Sequence, residues 1–375
     1  MSHILFVTWD GGGNVTPALA IARRLKTDGE SVRFLGQSQQ REHLERDGFG
    51  FAAYRTPGPW TATGKRNART NAVGFLRLLA GRSLGRDLIA EVRAHPADLV
   101  VIDCLLYGAL DAAVRARLPH VVLVHSLFAA VEQKMASGVP GMVARALGLN
   151  PWSLWSNADA VIVTSIQELD IPSGNRRSPG LEYTGPVLPE LAESIRSISG
   201  QPRSILVSLS TTYIAGQVTV LQHILDAVSG LPIDVVVTTG PAIDPEELDV
   251  PSNVQLHRYV PHNRIMPTVD LVVGHGGHAT TTQALAYGLP LVILPINPAF
   301  DQPLIGRRIR DTGAGVTLPS SASPAEIRTA IERVLADASY RTKAAQLGAT
   351  IRASDGARTA ADRLESLIAN VGQRS

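Results

Sequence analysis

The amino-acid sequence predicts an α/β protein with two parallel-sheet domains, and two observations support this prediction. Short apolar runs alternate with segments of helical periodicity along the whole chain, which is the pattern of βαβ units. A more loosely patterned stretch, rich in proline and glycine, runs from Leu181 to Gln201 and divides this alternation into two halves. The length of 375 residues also suits about two domains of ordinary size.

The first half begins with a buried strand at His3–Thr8, followed by a helix at Val15–Thr27. Leu19, Ala22 and Leu25 share one face of this helix, so it can pack on a sheet. The other elements predicted in this half are strands Ser31–Leu35, Leu99–Asp103, His120–His125 and Ala158–Thr164, and a helix Gly108–Ala116.

In the second half, predicted strands and helices alternate again after Pro202. Its predicted strands are Ser204–Leu209, Ile233–Thr238, Val254–Leu256, Leu271–Val273 and the apolar run Leu289–Ile296. Its predicted helices are Gln217–Ser229 and the helical tail Pro324–Val371.

These elements predict two Rossmann-like domains facing each other across a cleft. Ligands of such sheets usually bind beyond the carboxyl ends of the strands. The predicted boundaries are an N-terminal domain over residues 1–190, a linker over 191–202, a C-terminal domain over 203–355 and a C-terminal helix over 356–375.

Composition excludes several classes of protein. A hydrophobic content of 45% against a charged content of 18% supplies two buried cores and argues against disorder. The net charge of +2 argues against a nucleic-acid partner. The single cysteine, Cys104, excludes an internal disulfide and a cysteine-based zinc site. Without a secretory leader or an apolar stretch of about 20 residues, we expect a cytoplasmic protein with no stable membrane association.

The clearest functional signal lies between Leu271 and Gln302. A strand leads into a glycine-rich turn, a threonine-rich segment opens a predicted helix, and a second strand ends in a loop carrying Asp301 and Gln302. Glycine lets the backbone approach a ligand, and a helix N-terminus presents free N–H groups with about half a positive charge. The segment therefore predicts a diphosphate site, with polar side chains placed to reach the group attached to the diphosphate.

A second glycine-rich turn follows the first strand, from Asp10 to Pro17. This turn lacks the G-x-G-x-x-G spacing, and no acidic residue follows the second strand, which ends before Gln37. Both features disfavour a dinucleotide site.

Taken together, these segments resemble the GT-B glycosyltransferases, specifically the family-one type of actinobacterial natural-product biosynthesis. The resemblance covers nearly the whole chain and is strongest from Val254 to Leu318. It implies an inverting, metal-independent transfer of a hexose or deoxyhexose from a UDP- or TDP-sugar to a hydrophobic acceptor of aromatic or polyketide type. It implies no cofactor beyond this nucleotide diphosphate sugar, and a C-terminal helix that packs back on the N-terminal domain.

The resemblance places the donor site in the C-terminal domain. His275 and the amides that follow it match the turn that holds the donor diphosphate, and Gln283 occupies the position of a ribose-binding glutamate. Asp301 and Gln302 match an Asp-Gln pair that contacts sugar hydroxyls. The remaining residues implied in donor binding are Ser210, Thr211, Val260, Gly276, Gly277, His278, Ala279 and Thr280.

The catalytic turn departs from the family. Members place a histidine in the first glycine turn, where this chain has Asn14, and an amide cannot accept a proton at neutral pH. Asp103 occupies the position of the aspartate that orients this histidine. Several explanations stay open: an acceptor acidic enough to need no base, a poor catalyst that binds ligands, or a base supplied by Asp10, His125 or Asp103 itself.

The resemblance places the acceptor pocket in the N-terminal domain. Aromatic side chains in this domain suit a flat or hydrophobic acceptor, although they equally suit ordinary core packing. The candidates are Trp60, Phe75, Phe128 and Trp152.

Two alternative functions stay open. The apolar and basic tract Val73–Gly85 suits the GlcNAc transferase of peptidoglycan synthesis, which works at a membrane. Asn14 suits a non-catalytic sugar-nucleotide-binding or auxiliary protein. The sequence leaves open the acceptor, the nucleotide, the sugar, the atom of attachment and the oligomeric state, for which a homodimer is one alternative.

Overall fold

A computed structural model of the chain describes residues 1–55, 68–174, 179–191 and 203–372. The chain divides into two compact units, Met1–Val187 with Asp355–Ser375, and Leu188–Ser354. Each unit is built on its own parallel sheet with helices between the strands, which confirms the predicted α/β class. Among the described residues, no helix combines the length and the apolarity needed to cross a membrane.

The first unit contains a parallel sheet of seven strands within the described residues. The strands are β1 His3–Val7, β2 Ser31–Gly36, β3 Gly50–Ala53, β4 Leu99–Asp103, β5 His120–Val124, β6 Ala160–Val163 and β7 Leu181–Tyr183. Their order across the sheet is β3-β2-β1-β4-β5-β6-β7. Both β4 and β5 are buried along their full length, because helices cover both faces of a parallel sheet.

The helices of the first unit connect these strands, and one returns from the end of the chain. They are α1 Val15–Thr27, α2 Arg41–Arg46, α3 Ala68–Ala80, α4 Arg82–Ala94, α5 Tyr107–Ala116, α6 Phe128–Ala130, α7 Val139–Ala146, α8 Pro151–Ser156 and α15 Gly356–Gly372.

The second unit contains a parallel sheet of six strands within the described residues. The strands are β8 Arg203–Ser208, β9 Ile233–Thr238, β10 Val254–His257, β11 Leu271–Gly274, β12 Leu291–Ile293 and β13 Gly315–Thr317, in the order β10-β9-β8-β11-β12-β13. The helices are α9 Gln217–Val228, α10 His262–Ile265, α11 His278–Ala286, α12 Gln302–Asp311, α13 Pro324–Ala336 and α14 Ala338–Ala353.

The C-terminal helix α15 belongs to the first unit. Leu364 is buried in the core of that unit, and Arg363 forms a two-pronged ion pair with Glu182 on β7, with Nη2 2.8 Å from Oε1. The predicted helical tail is therefore three helices, and the side chain of Asp337 caps the start of α14 by accepting from the Ser339 amide.

The loosely patterned stretch that begins at Leu181 opens with a strand. The residues of β7 are only half-buried, and the strand is three residues long, so neither an apolar run nor an alternation marks it in the sequence. Of the predicted linker, residues 192–202 lie outside the described residues.

The order of the strands places three loops side by side at one edge of the first sheet. Val7 of β1 pairs with Ile102 of β4, and Asp103 pairs with Leu123 of β5. The segments that follow these three adjacent parallel strands therefore emerge side by side at their carboxyl ends, which is where such sheets bind ligands.

Candidate functional site

Asn14 is buried, and its side chain stabilises the glycine turn that follows β1. Its side-chain amide donates to the Trp9 carbonyl at 2.9 Å and to Asp103 Oδ2 at 3.3 Å, and its Oδ1 accepts from the Gly11 amide at 2.9 Å. An amide nitrogen has two hydrogens, so both are used within the protein. The residue is 4% exposed, which leaves it little surface for a ligand.

Asp103 and His125 form a close pair at the carboxyl ends of β4 and β5. Nδ1 of His125 lies 3.0 Å from Asp103 Oδ2, and the other oxygen of this carboxylate accepts from the Leu105 amide at 3.0 Å. The carboxylate is buried, with 6% of the side chain exposed, whereas 19% of the His125 side chain is exposed. This is the arrangement in which a carboxylate orients an imidazole at the surface of a site.

The Asp103 carboxylate is ionised. Burial on its own would raise the pKa of Asp103, but the charge and hydrogen bond of His125, the Leu105 amide and the Trp9 side chain outweigh it, so the pKa is lowered from its ordinary value. An ionised carboxylate only accepts hydrogen bonds, and therefore Nδ1 of His125 carries a proton.

Cys104 lies next to this pair. Ligand atoms of Asp103, Cys104 and His125 all lie within 4.8 Å of one another. Burial, and then the charge of Asp103, raises the pKa of the Cys104 thiol well above its ordinary value. A metal ligand must be a thiolate, so the chemistry of these three side chains does not favour a metal site.

Asp10 is tied to the loop that follows β2. Its backbone amide donates to Gln37 Oε1 at 2.7 Å, and its carboxylate accepts from Gln39 Nε2 at 3.4 Å. The residue is partly exposed. These contacts orient Asp10 toward the second strand.

The predicted acceptor aromatics fall into different environments. Phe128 is 0% exposed and Trp152 is 5% exposed, and their rings lie 5.4 and 5.7 Å from the Trp155 ring in edge-to-face packing. Phe75 is half-buried, with its ring 6.0 Å from that of Trp9. Phe128 and Trp152 are thus core residues, and Phe75 adjoins the glycine turn. Trp60 lies outside the described residues.

In the second unit, a glycine turn joins β11 to α11. Gly276 has φ +83°, and a β-carbon there would lie 2.9 Å from the Ile293 side chain and 3.1 Å from the Gln302 carbonyl, so only glycine fits. His278 and Thr280 are half-buried and Ala279 is exposed at the start of α11. The first amides of a helix have no partner within the helix and suit an anion.

His275 and Gln283 each hold a buried side-chain nitrogen without a hydrogen-bond partner, Nδ1 of His275 and Nε2 of Gln283. The two residues are 8% and 7% exposed. Burial lowers the pKa of His275 to about 4, despite a hydrogen bond to the Ser208 carbonyl, so the ring is neutral at physiological pH. Buried polar atoms of this kind normally have partners, so both nitrogens suit contact with a ligand.

Asp301 and Gln302 occupy the start of α12. Gln302 is 6% exposed, and its Oε1 accepts from the amides of Ile296 and Asn297 at 2.9 and 2.8 Å, which fixes the loop after β12. Asp301 is half-buried at the N-cap position, and its side chain does not cap the helix. In Gln302, the side-chain oxygen is engaged by the loop after β12.

The remaining predicted donor residues lie on loops after β8 and β10. Ser210 is buried, with its hydroxyl 2.5 Å from that of Thr212, while Thr211 is exposed and Val260 is half-buried. Sequence reasoning missed Trp9, whose side chain contacts Asp103, and the Ser208 carbonyl, which contacts His275. The contact between His275 and the Ser208 carbonyl depends on the pairing of β11 with β8 in the sheet.

Comparison with known proteins supports the resemblance. Residues 222–367 match the family model described as Erythromycin biosynthesis protein CIII-like, C-terminal domain. The 4'-demethylrebeccamycin synthase of Lentzea aerocolonigenes is 24% identical over 423 residues, covering 98% of this chain and 100% of the relative.

Two solved structures share the fold over the length of the chain. CalG4, the calicheamicin glycosyltransferase, has a TM-score of 0.79 at 21% identity and covers 98% of both chains. Glycosyltransferase VinC, in complex with DTDP, has a TM-score of 0.72 at 20% identity and covers 100% of both chains. The predicted resemblance is thereby confirmed: the chain has the GT-B fold and is similar in sequence to proteins of natural-product biosynthesis.

Proposed function

We propose that this protein is a glycosyltransferase that moves a hexose or deoxyhexose from a nucleoside diphosphate sugar to a hydrophobic small molecule, with inversion at the anomeric carbon and without a metal ion. The donor binds the second unit, and the acceptor binds the first. The DTDP bound by VinC supports a nucleoside diphosphate as the donor's leaving group. The rebeccamycin relative and CalG4 support a natural-product acceptor.

The observation that carries the proposal is the pair of unpartnered nitrogens on His275 and Gln283. A buried polar atom without a partner costs roughly 1–3 kcal/mol, and a ligand that pairs with it recovers that cost. Diphosphate oxygens and ribose hydroxyls offer such partners. The two residues are also those that the sequence resemblance assigns to the diphosphate and the ribose.

The diphosphate leaves as an anion, and the proposed site stabilises it with fixed donors. The amides at the start of α11 act together with the positive end of the helix. An anion beside His275 favours the protonated ring, because an opposite charge raises the pKa of an imidazole. Protein donors of this kind would replace the metal ion that other transferases use.

Two measurements on the purified protein test the function. The first is a thermal-shift panel of UDP, TDP and their sugars, in which saturation at about 100 times Kd stabilises the protein by about 2.7 kcal/mol. The second is mass spectrometry of reactions with flat hydroxylated acceptors, in which the product gains one sugar residue in the presence or absence of EDTA.

Each outcome separates the proposal from the alternatives. Donor binding without product over the whole acceptor panel would indicate an auxiliary protein. Loss of product on adding EDTA would contradict metal independence. A GlcNAc transferase of peptidoglycan synthesis is not favoured, since the relatives named above are glycosyltransferases of natural products.

A further inference from the structure

We propose that a cavity at the amino-terminal edge of the first sheet binds a small zwitterion, of the class of a free α-amino acid with an apolar side chain. The cavity has a volume of about 270 Å³. Drug-sized ligands occupy pockets of roughly 300–1,000 Å³, so this cavity suits a smaller molecule. Its lining includes Arg117, His120, Asp159 and the apolar residues Val114, Leu118 and Pro119.

The cavity lies at the opposite edge of the sheet from the glycine turn. His120 opens β5 and Asp159 directly precedes β6, so both mark the amino-terminal ends of adjacent parallel strands. His125 directly follows the other end of β5. Five residues of extended chain span roughly 16 Å, so the cavity is separate from the pair of Asp103 and His125. The proposed transfer reaction therefore gives this cavity no role.

Arg117 stands where the backbone favours glycine. It ends α5 with φ +53° and ψ +38°, and among the described residues it is the one non-glycine residue with a positive φ. A β-carbon is crowded in this left-handed conformation, so helices commonly place glycine there. The Arg117 side chain forms no hydrogen bond or ion pair with any residue that the structure describes. Strain without an internal contact to offset it is typical of a residue that serves a ligand.

His120 lines the cavity with an imidazole that has one unpaired nitrogen. The residue is 3% exposed, and its Nδ1 lies 2.8 Å from the Leu118 carbonyl. A carbonyl only accepts hydrogen bonds, so Nδ1 carries the proton and Nε2 bears the lone pair. Burial lowers the pKa of His120 from its ordinary value, which keeps the ring neutral at pH 7. Nε2 is buried and has no hydrogen-bond partner in the described part of the chain, so it suits a donor from a ligand.

Asp159 supplies a negative charge on the same wall. Its Oδ2 accepts from the His120 amide at 2.9 Å, and its carboxylate forms no ion pair with the described residues. Arg117 and Asp159 thus carry opposite charges into one cavity without pairing with each other. A ligand that carries both charges can pair with both. Its carboxylate meets the Arg117 guanidinium, and its ammonium group donates to Asp159 and to Nε2 of His120.

The charges and the apolar wall together select the class of ligand. A dianion would set a second negative charge near Asp159, and a diamine would set a positive charge near Arg117. A neutral apolar molecule would leave both charges and the imidazole nitrogen unpaired. An amino acid satisfies all three groups, and its apolar side chain can lie against Val114, Leu118 and Pro119.

Calorimetric titration of the purified protein with leucine tests the site, and Arg117→Gly is the main variant. Glycine removes the guanidinium and adopts a positive φ without strain, so this variant should keep or raise the melting temperature. Its affinity for leucine should nevertheless fall roughly tenfold or more, because a charged hydrogen bond is lost. Arg115→Gln is the control, since Arg115 pairs with Asp111 on the same helix and does not line the cavity.

Two analogues of leucine test the two charges separately. N-acetyl-leucine lacks the ammonium group and leucine amide lacks the carboxylate, so each should bind roughly tenfold or more weakly than leucine. Asp159→Asn keeps an oxygen that can accept from the His120 amide but removes the negative charge. This variant should therefore bind leucine more weakly and should narrow the difference between leucine and N-acetyl-leucine.

Three results would overturn the proposal. The first is no binding of millimolar leucine to the wild-type protein. The second is unchanged affinity of Arg117→Gly for leucine, and the third is equal binding of leucine and either analogue. None of these results bears on the proposed transfer reaction, because the cavity shares no residue with the candidate donor and acceptor sites.

Discussion

The turn after β11 and the carboxylate at the end of β4 are both polar sites at strand ends, but their polar atoms are satisfied differently. Around Asp103, the contacts of Asn14, Leu105 and His125 are internal to the protein. In the turn, Nδ1 of His275 and Nε2 of Gln283 have no partner. At the first site both carboxylate oxygens of Asp103 accept hydrogen bonds within the protein, whereas at the second the two side-chain nitrogens have no such partner.

Under the proposed function, this difference gives the two sites different roles. A carboxylate bonded through both oxygens holds its neighbours in a fixed orientation, which suits the acceptor side of the reaction. An incomplete site gains free energy only when a ligand supplies its missing partners, which is the requirement of a binding pocket. Mutations at the Asp103 site should therefore act on the acceptor side of the reaction, and mutations in the turn should act on the binding and departure of the donor diphosphate.

The largest effect in the second unit is expected for His275→Ala. Removal of one donor from a developing negative charge typically lowers kcat by about 10²–10³, or about 2.7–4 kcal/mol. Steady-state kinetics with a saturating acceptor measure this loss. His223→Ala is the control, because His223 lies on helix α9 and contacts the Ala322 carbonyl. Wild-type turnover of His275→Ala would remove this residue from the donor site.

The pH dependence of stability gives the next effect, of about 3 kcal/mol. The pKa of His275 is lowered by burial to about 4, below the ordinary value of 6.5, so the unfolded chain binds more protons between these values. The contribution of His275 to the free energy of unfolding is therefore fully present above pH 6.5, and it is lost as the pH falls toward 4. Each pKa unit is worth about 1.36 kcal/mol.

Denaturant unfolding of the wild type and of His275→Gln at pH 7 and pH 4.5 measures this effect. The glutamine variant has no imidazole at this position, so its stability should fall less on acidification than that of the wild type. Equal pH dependence in the two proteins would mean that His275 titrates normally and is not buried as described.

The sequence predicts most of the fold because the fold is periodic. Alternating apolar runs and helical faces recover β1, α1, β4 and β9 to within one residue of their observed bounds. The turn around Gly276 is predictable for a related reason, since strand, glycine, helix and strand follow one another in the chain. All the information about this site is local.

The pairing of Asp103 with His125 depends on the order of strands in the sheet. Asp103 ends β4 and His125 directly follows β5, and only the adjacency of these two strands, with Asp103 opposite Leu123, brings the side chains within 3.0 Å. The positions of Phe128 and Trp152 likewise depend on contacts between residues that are distant in the sequence. An aromatic residue can line a pocket or fill a core, and packing on Trp155, which the sequence does not encode locally, places both in the core.

A smaller effect is expected for Asp301→Ala at the start of α12. If the carboxylate binds hydroxyls of the transferred sugar, its removal should cost about 1.5 kcal/mol or more, or about tenfold in affinity for the sugar nucleotide. Affinity for the bare nucleotide diphosphate should not change. Calorimetric titration with both ligands measures the difference, and Asp311→Ala at the exposed end of the same helix is the control. Equal losses for both ligands would contradict a sugar contact.

The smallest effect is expected for Asp10→Asn, in the glycine turn after β1. The backbone bond to Gln37 does not involve the side chain, and an asparagine oxygen can still accept from Gln39. A partly exposed substitution of this kind usually changes free energies by less than about 0.5 kcal/mol, so kcat should change by less than about threefold. Kinetics on an alcohol and a phenol measure it. If Asp10→Asn instead loses about 10²-fold on the alcohol, the base lies in the glycine turn. Asp103 would then serve to hold that turn through Asn14.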